Sequence, residues 1–147
     1  MHNLYTWGKG SRGKLGHEDE NDENSPKLVK AFAYQPIKNI AAGYWQSMAI
    51  SDEGLYIWGS TKNGQLGIGE TGEDQLRPTL LPGLKDLNLI KIAASDGFSV
   101  AISGFYNFHF PFFTKTIFSN RKQMLRTCTV GAGMLVIQTI PFLLIQG

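Results

Sequence analysis

The chain repeats one phrase. Residues 4–17 read LYTWGKGSRGKLGH, and residues 55–69 read LYIWGSTKNGQLGIG. Trp7 recurs as Trp58, Gly8 as Gly59, Gly13 as Gly64, Leu15 as Leu66 and Gly16 as Gly67, each 51 positions on. A second block matches independently. Ile40-Ala41-Ala42 with Ser47, Ala49 and Ile50 recurs as Ile92-Ala93-Ala94 with Ser99, Ala101 and Ile102, 52 positions on. One residue has been inserted between the blocks, as a loop allows. A period near 50 restricts the fold to like units placed side by side, each burying an apolar face on the next, as in a propeller or solenoid.

Within a unit the pattern is all-β. Leu4, Tyr5, Thr6 and Trp7 favour an extended, packed surface. Gly8, Gly10, Gly13 and Gly16 then exclude a helix and suit tight turns. Residues 17–24, HEDENDEN, are a polar run expected to be a solvated loop closed by Pro26, with a short strand over 27–32. Apolar runs at 37–42 and 46–51 flank Gly43-Tyr44-Trp45. Asp52-Glu53-Gly54 reads as a hairpin turn before the strand at 55–59. Residues 27–59 therefore predict one four-stranded antiparallel sheet, the size of a propeller blade. The second pass gives strands near 79–81, 89–94 and 98–103. The repeat then stops. Residues 106–110 stand where the next strand should be, and no Trp-Gly follows them.

The charge divides at the same place. Residues 1–96 carry ten Lys/Arg and all twelve Asp/Glu, whereas residues 97–147 carry four Lys/Arg and no acid. The expected organisation is two repeats over 1–103 (4–54 and 55–103), then a tail over 104–147, basic and aromatic at first and apolar after. Residues 127–147 hold no charge and are long enough to cross a bilayer. Three threonines, three glycines, Gln138 and Pro141 dilute that signal. An aberrant chain end, as in a truncated isoform or partial gene product, is the preferred reading, with a membrane anchor as the alternative. The single cysteine, Cys128, excludes an intrachain disulfide. The first residues offer no apolar signal segment.

Trp58-Gly59, Gly64-Gln65-Leu66-Gly67, Gly69, Pro78 and Ile92-Ala93-Ala94 together resemble the RCC1 (regulator of chromosome condensation) repeat. Trp7-Gly8, Gly13-Lys14-Leu15-Gly16, Pro26 and Ile40-Ala41-Ala42-Gly43 resemble it again. The resemblance covers residues 4–103 and implies an all-β fold, an RCC1-like β-propeller fragment of about two four-stranded antiparallel blades. In that family each repeat gives strands to two neighbouring blades, and about seven repeats close a ring. The family's usual histidine before the serine is Gln46 in one copy and Phe98 in the other. Gly43 is replaced by Ser95 in the second.

Other motifs yield to the repeat. Gly8-Lys9-Gly10-Ser11-Arg12-Gly13 spells a dinucleotide fingerprint, but no helix follows to receive a pyrophosphate. Gly8, Gly13 and Lys14 approach a P-loop, but Leu15 stands where a hydroxyl is needed. No histidine or cysteine set has zinc spacing, and no nucleophile–base pair is evident. Neither cofactor, metal nor catalysis is expected. Residues 1–96 are net acidic without a basic stripe, so nucleic acid is not an expected partner. The candidate binding residues are Trp45, which is out of register with Gly97, and the acids Glu18, Asp19, Glu20, Asp22 and Glu23. The family resemblance implies a non-catalytic protein–protein interaction module, cytoplasmic or nuclear. Its partner would be a small GTPase or a ubiquitin or kinase signalling component. Guanine nucleotide exchange on a Ran-like GTPase is the alternative. A membrane enters only if 127–147 is an anchor.

Overall fold

A computed structural model describes residues 3–69, 72–85, 87–107, 110–120 and 123–130, with side chains as far as residue 104. These residues form ten strands: β1 Tyr5–Gly8, β2 Glu23–Leu28, β3 Ile37–Ala42, β4 Gln46–Ser51, β5 Leu55–Gly59, β6 Gln75–Leu80, β7 Leu89–Ala94, β8 Ser99–Asn107, β9 Phe110–Asn120 and β10 Gln123–Val130. Short 3-10 turns stand at Ser11–Gly13, Lys30–Phe32 and Pro82–Leu84. All pairings are antiparallel.

The sheets cut across the repeats. One complete sheet has the order β3-β4-β5-β6, so its first two strands come from the first repeat and its last two from the second. β1 and β2 form a two-stranded sheet, and β7 and β8 join β9 and β10 in a third. Register repeats along with sequence. Tyr5↔Leu28, Thr6↔Lys27 and Gly8↔Glu23 in the first repeat become Tyr56↔Leu80, Ile57↔Thr79 and Gly59↔Gln75 in the second, with the same irregularity before the glycine. Ile40↔Ala49 and Ala42↔Ser47 become Ile92↔Ala101 and Ala94↔Ser99.

Two apolar clusters hold the units together. Met48, Ile50, Leu55 and Ile57 of the complete sheet pack against Leu89, Ile92 and Ala101 of the next. On its other face, Ala49 and Trp58 pack with Leu4, Val29 and Phe32. Alternation within each strand sends successive side chains to opposite faces, so one sheet can serve both joints.

Three expectations are corrected. The first acidic stretch is shorter as a loop than its composition suggests, because β2 already begins at Glu23 and takes in Pro26. Proline is tolerated there because β2 is an edge strand, where the missing N–H costs no ladder bond. The stretch expected as a strand at 27–32 is instead the end of β2 and a 3-10 turn, with Phe32 N–H donating to Val29 O (3.0 Å). The matched tryptophans also part company. Trp58 is 1% exposed and Trp7 is 59% exposed. Among the described residues, no helix is long and apolar enough to cross a membrane; most of residues 127–147 lie outside them.

Candidate functional site

The loop after β1 is built backwards onto its own acids. Gly10 N–H donates to Asp22 Oδ1 (3.0 Å), and Lys9 Nζ meets Asp22 Oδ2 (2.5 Å). Glu20 accepts from Arg12 N–H (3.2 Å), Asp19 accepts from Asn21 N–H (2.9 Å), and Glu23 pairs with Lys27. Glu18 takes a left-handed conformation (φ 70°), and its N–H donates to Leu76 O (3.0 Å). A Cβ on Gly10 would meet Asn21 O at 1.8 Å, so only glycine lets the acidic segment close over the turn.

These contacts set the charges. The Lys9 ammonium, with the Gly10 N–H, holds the Asp22 carboxyl below its ordinary value. The Asn21 N–H does the same for Asp19. Glu23 raises Lys27 in turn. Asp19, Glu20 and Asp22 thus accept bonds within the loop and Glu23 pairs along β2; among the described residues no group of three or more Asp, Glu, His or Cys is arranged to hold a metal ion.

One acid proves to be part of the repeat. Asp74 lies 52 positions after Asp22. Its Oδ1 accepts Thr61 N–H (3.0 Å), as Asp22 Oδ1 accepts Gly10 N–H. Its Oδ2 takes Arg12 Nη1 (3.1 Å) from the preceding repeat. The acidic run as a whole has no counterpart in the second copy, yet this aspartate does. The spacing of 52 was the available signal, hidden by the other acids around Asp22.

Trp45 stands apart from the acids, on the turn between β3 and β4. Its ring meets Tyr44 edge to face at 4.7 Å, and Lys14 Nζ lies 5.2 Å from the Trp45 centroid and 5.5 Å from that of Tyr44. Lys14 also donates to Tyr44 O (3.2 Å). Tyr44 is 64% exposed and Trp45 half-buried. The cluster is therefore a rim of two aromatic faces and one cation, a combination suited to protein contact. Sequence reasoning named Trp45 but missed Tyr44 and Lys14, which reach it only through the fold.

Gln46, next to that rim, is fully buried and joins two sheets. Its Nε2 donates to Ser95 O (2.9 Å) and Phe98 O (3.0 Å) on the turn between β7 and β8. Its replacement of the usual histidine preserves a donor there. Phe98, at the matching position, supplies none. A shallow groove of about 720 Å³ lies between the acidic loop and β6, bordered by Glu18, Asp19, Lys27 and Arg77.

Comparison with known proteins follows this geometry. The profile described as the regulator of chromosome condensation (RCC1) repeat matches residues 2–50 and 52–102. The chain is 41% identical over 99 residues to the E3 ubiquitin-protein ligase HERC2 of Homo sapiens, covering 64% of this chain and 2% of that protein. It is 36% identical over 101 residues to the ultraviolet-B receptor UVR8 of Arabidopsis thaliana, covering 68% and 23%. The chain thus spans a minor part of the curated relatives it matches. Among solved structures, human WBSCR16 aligns with a TM-score of 0.65 at 19% identity, over 95% of this chain and 33% of that one. Yeast RCC1 (Prp20), solved bound to Kap60, aligns with a TM-score of 0.62 at 22% identity, over 78% and 28%. Two matched repeats, their duplicated register and this shared fold together show that the chain belongs to the RCC1 repeat family.

Proposed function

We propose that the chain is a non-catalytic protein–protein interaction module of the RCC1-repeat type, and that the Tyr44–Trp45–Lys14 rim is part of its contact surface. One observation carries the reading. The rim presents a half-buried tryptophan, an exposed tyrosine and a cation on one turn, held from two sheets. Aromatic residues fixed in this way concentrate binding energy at interfaces. The family supports the reading, since a ubiquitin ligase and a light receptor match this chain over 99 and 101 residues, about the length of its two repeats. A small GTPase or a ubiquitin or kinase signalling component is the partner class that fits such relatives.

The alternative, guanine nucleotide exchange on a Ran-like GTPase, rests on likeness to RCC1 alone. One experiment separates the two. The full chain is added to a Ran-class GTPase loaded with fluorescent nucleotide, and both complex formation and nucleotide release are followed. The module reading expects release at the intrinsic rate and any binding to weaken about tenfold or more in Trp45→Ala, as for an interface anchor. Accelerated release would overturn it in favour of exchange.

A further inference from the structure

The two repeats differ most where they should agree. Trp58 is buried, and its counterpart Trp7 is 59% exposed. Ile92 is 9% exposed, and its counterpart Ile40 is 58% exposed. A Cβ on Gly59 (φ 111°) would meet Trp45 O at 2.2 Å and Gln46 Cα at 2.8 Å, whereas Gly8 holds the same conformation (φ 103°) with nothing within 4 Å. β5 pairs with β4 and β6, but β1 pairs with β2 alone among the described residues. The Gly8 and Ile40 contrasts mark one uncovered edge, whereas Trp58 is covered by Leu4, Val29, Phe32 and the Gly16 turn of the first repeat. What covers β5 and Ile92 is an adjacent hairpin or sheet of the repeat, and among the described residues none lies against β1 and Ile40. A cleft of about 570 Å³ occupies the place, walled by Leu4, Tyr5 and Trp7 on one side and Ile40, Ala42 and Gly43 on the other.

We propose that this cleft binds the β7–β8 hairpin of a second copy of the chain, giving head-to-tail association. The proposal rests on the reading of the chain as a protein-binding module. The occupant is argued from the joint the molecule already contains. β8 carries Ser99, Ala101 and Ile102 where β4 carries Ser47, Ala49 and Ile50, and β7 carries Ile92-Ala93-Ala94 where β3 carries Ile40-Ala41-Ala42. Seating it as β4 sits on β5 fixes the register. Gln46↔Gly59, Ser47↔Trp58 and Met48↔Ile57 become Phe98↔Gly8, Ser99↔Trp7 and Val100↔Thr6 between copies. The interface continues the packing already made between β3–β4 and β7. The exposed apolar side chains are also apportioned to suit it: Tyr5, Trp7 and Ile40 border the cleft, and Ile90 and Phe98 belong to the hairpin. Main-chain pairing along an open strand supplies affinity, and the alternate side chains supply register.

Two features limit the strength. β8 is paired with β9 along Ser99↔Ser119 to Ser103↔Lys115, so β1 of the second copy must replace β9. Phe98 also brings no donor to the Gly43–Gln46 turn, where Gln46 brings one to the next sheet. Because donor and acceptor surfaces differ, the contact does not close on itself in a pair, and a series of oligomers is expected.

The test is sedimentation of the full chain over a range of concentrations, with two glycine variants and one cross-link. Gly8→Ala puts a methyl where the incoming backbone must lie. Gly69→Ala is the control, since Gly69 also has positive φ (86°) and open space but lies outside the cleft. The expected result is a mass that rises with concentration in the parent and in Gly69→Ala, with association weakened about tenfold or more in Gly8→Ala. In a Cys128→Ser background, a short thiol cross-linker should join Thr6→Cys chains to Val100→Cys chains. A parent that stays monomeric overturns the proposal, as does equal association of the two glycine variants or absence of the cross-link. A monomer that still binds a different protein through Trp45 would sink this inference and leave the module reading standing.

Discussion

The unequal tryptophans give the sharpest stability prediction. A tryptophan buries about 150–250 Å² when fully covered. At about 25 cal/mol per Å² that is roughly 4–6 kcal/mol, in line with the ~3–5 kcal/mol measured for large-to-alanine changes in cores. Trp58 is 1% exposed, packs 5.9 Å from Phe32 and lies so close to Gly16 that a Cβ there would meet Nε1 at 2.8 Å. Trp58→Ala should therefore cost about 3–5 kcal/mol. Trp7 hides about two-fifths of its surface, so Trp7→Ala should cost at most about 2.5 kcal/mol. Urea unfolding at low protein concentration, where association cannot cover Trp7, reads both. With m of about 1.5 kcal/mol/M, the midpoint should fall by roughly 2–3 M in one and about 1.7 M or less in the other. Trp58→Ala can consume most of the stability of a domain this size, so Trp58→Phe provides the graded measure. It keeps a six-membered aromatic ring but removes the pyrrole half of the indole with the N–H donated to Lys14 O (2.9 Å). That carbonyl still accepts from Ser47 Oγ (2.8 Å), so the loss is mainly that of packing and should be about 1–3 kcal/mol. Equal costs for the two alanine variants would refute the claim that identical sequence positions carry unequal load.

Three further outcomes follow from polar contacts. Gln46→Leu removes the donor shared by Ser95 O and Phe98 O; Phe98 O still accepts Ser95 N–H (3.1 Å), so the loss falls on Ser95 O and should be about 1 kcal/mol in the same urea assay; an unchanged midpoint would show the bridge to be dispensable. Asp74→Ala removes the acceptor of Thr61 N–H and the partner of Arg12, and should cost about 1–2 kcal/mol; an unchanged midpoint would show the cap to be dispensable. Asp22 has its carboxyl lowered, so its contribution is fully present above the unfolded value near 3.9 and is lost as pH falls through the lower folded one. Carboxyl-detected NMR titration should therefore find Asp22 below the ordinary range and moving up in Lys9→Ala; a titration indifferent to Lys9 would contradict the pairing.

The period, strand alternation and the 52–54 turn were legible because they depend on local chemistry and on self-comparison. Ser51 N–H indeed closes that turn onto Gly54 O (2.9 Å). What was not legible depends on neighbours. Trp7 and Trp58 have the same local sequence, and the cover that Leu4, Val29, Phe32 and the Gly16 turn of the first repeat give to Trp58 separates their fates. Pro26 argued for a break because a proline interrupts a ladder, yet on an edge strand it interrupts nothing. Asp22 was read as one acid among five, since its partner in register, Asp74, is recognised by the N–H it caps. Trp45 was found as an exception to the repeat, but Lys14, 31 positions earlier in sequence, is brought to it only when the glycine loop of one sheet lies across the turn of the next.

The offset between repeat and sheet bears on how such a chain could grow. A unit copied in the gene ends midway through a folded sheet, so the unit of inheritance and the unit of packing are never the same segment. Inserting one more repeat after residue 54 would divide the β3-β4-β5-β6 sheet, and both halves would be completed by the newcomer. Every new joint would then be of a kind the molecule already makes, Trp on glycine loop and isoleucine on sheet face. Duplication in this phase therefore lengthens the array without inventing an interface.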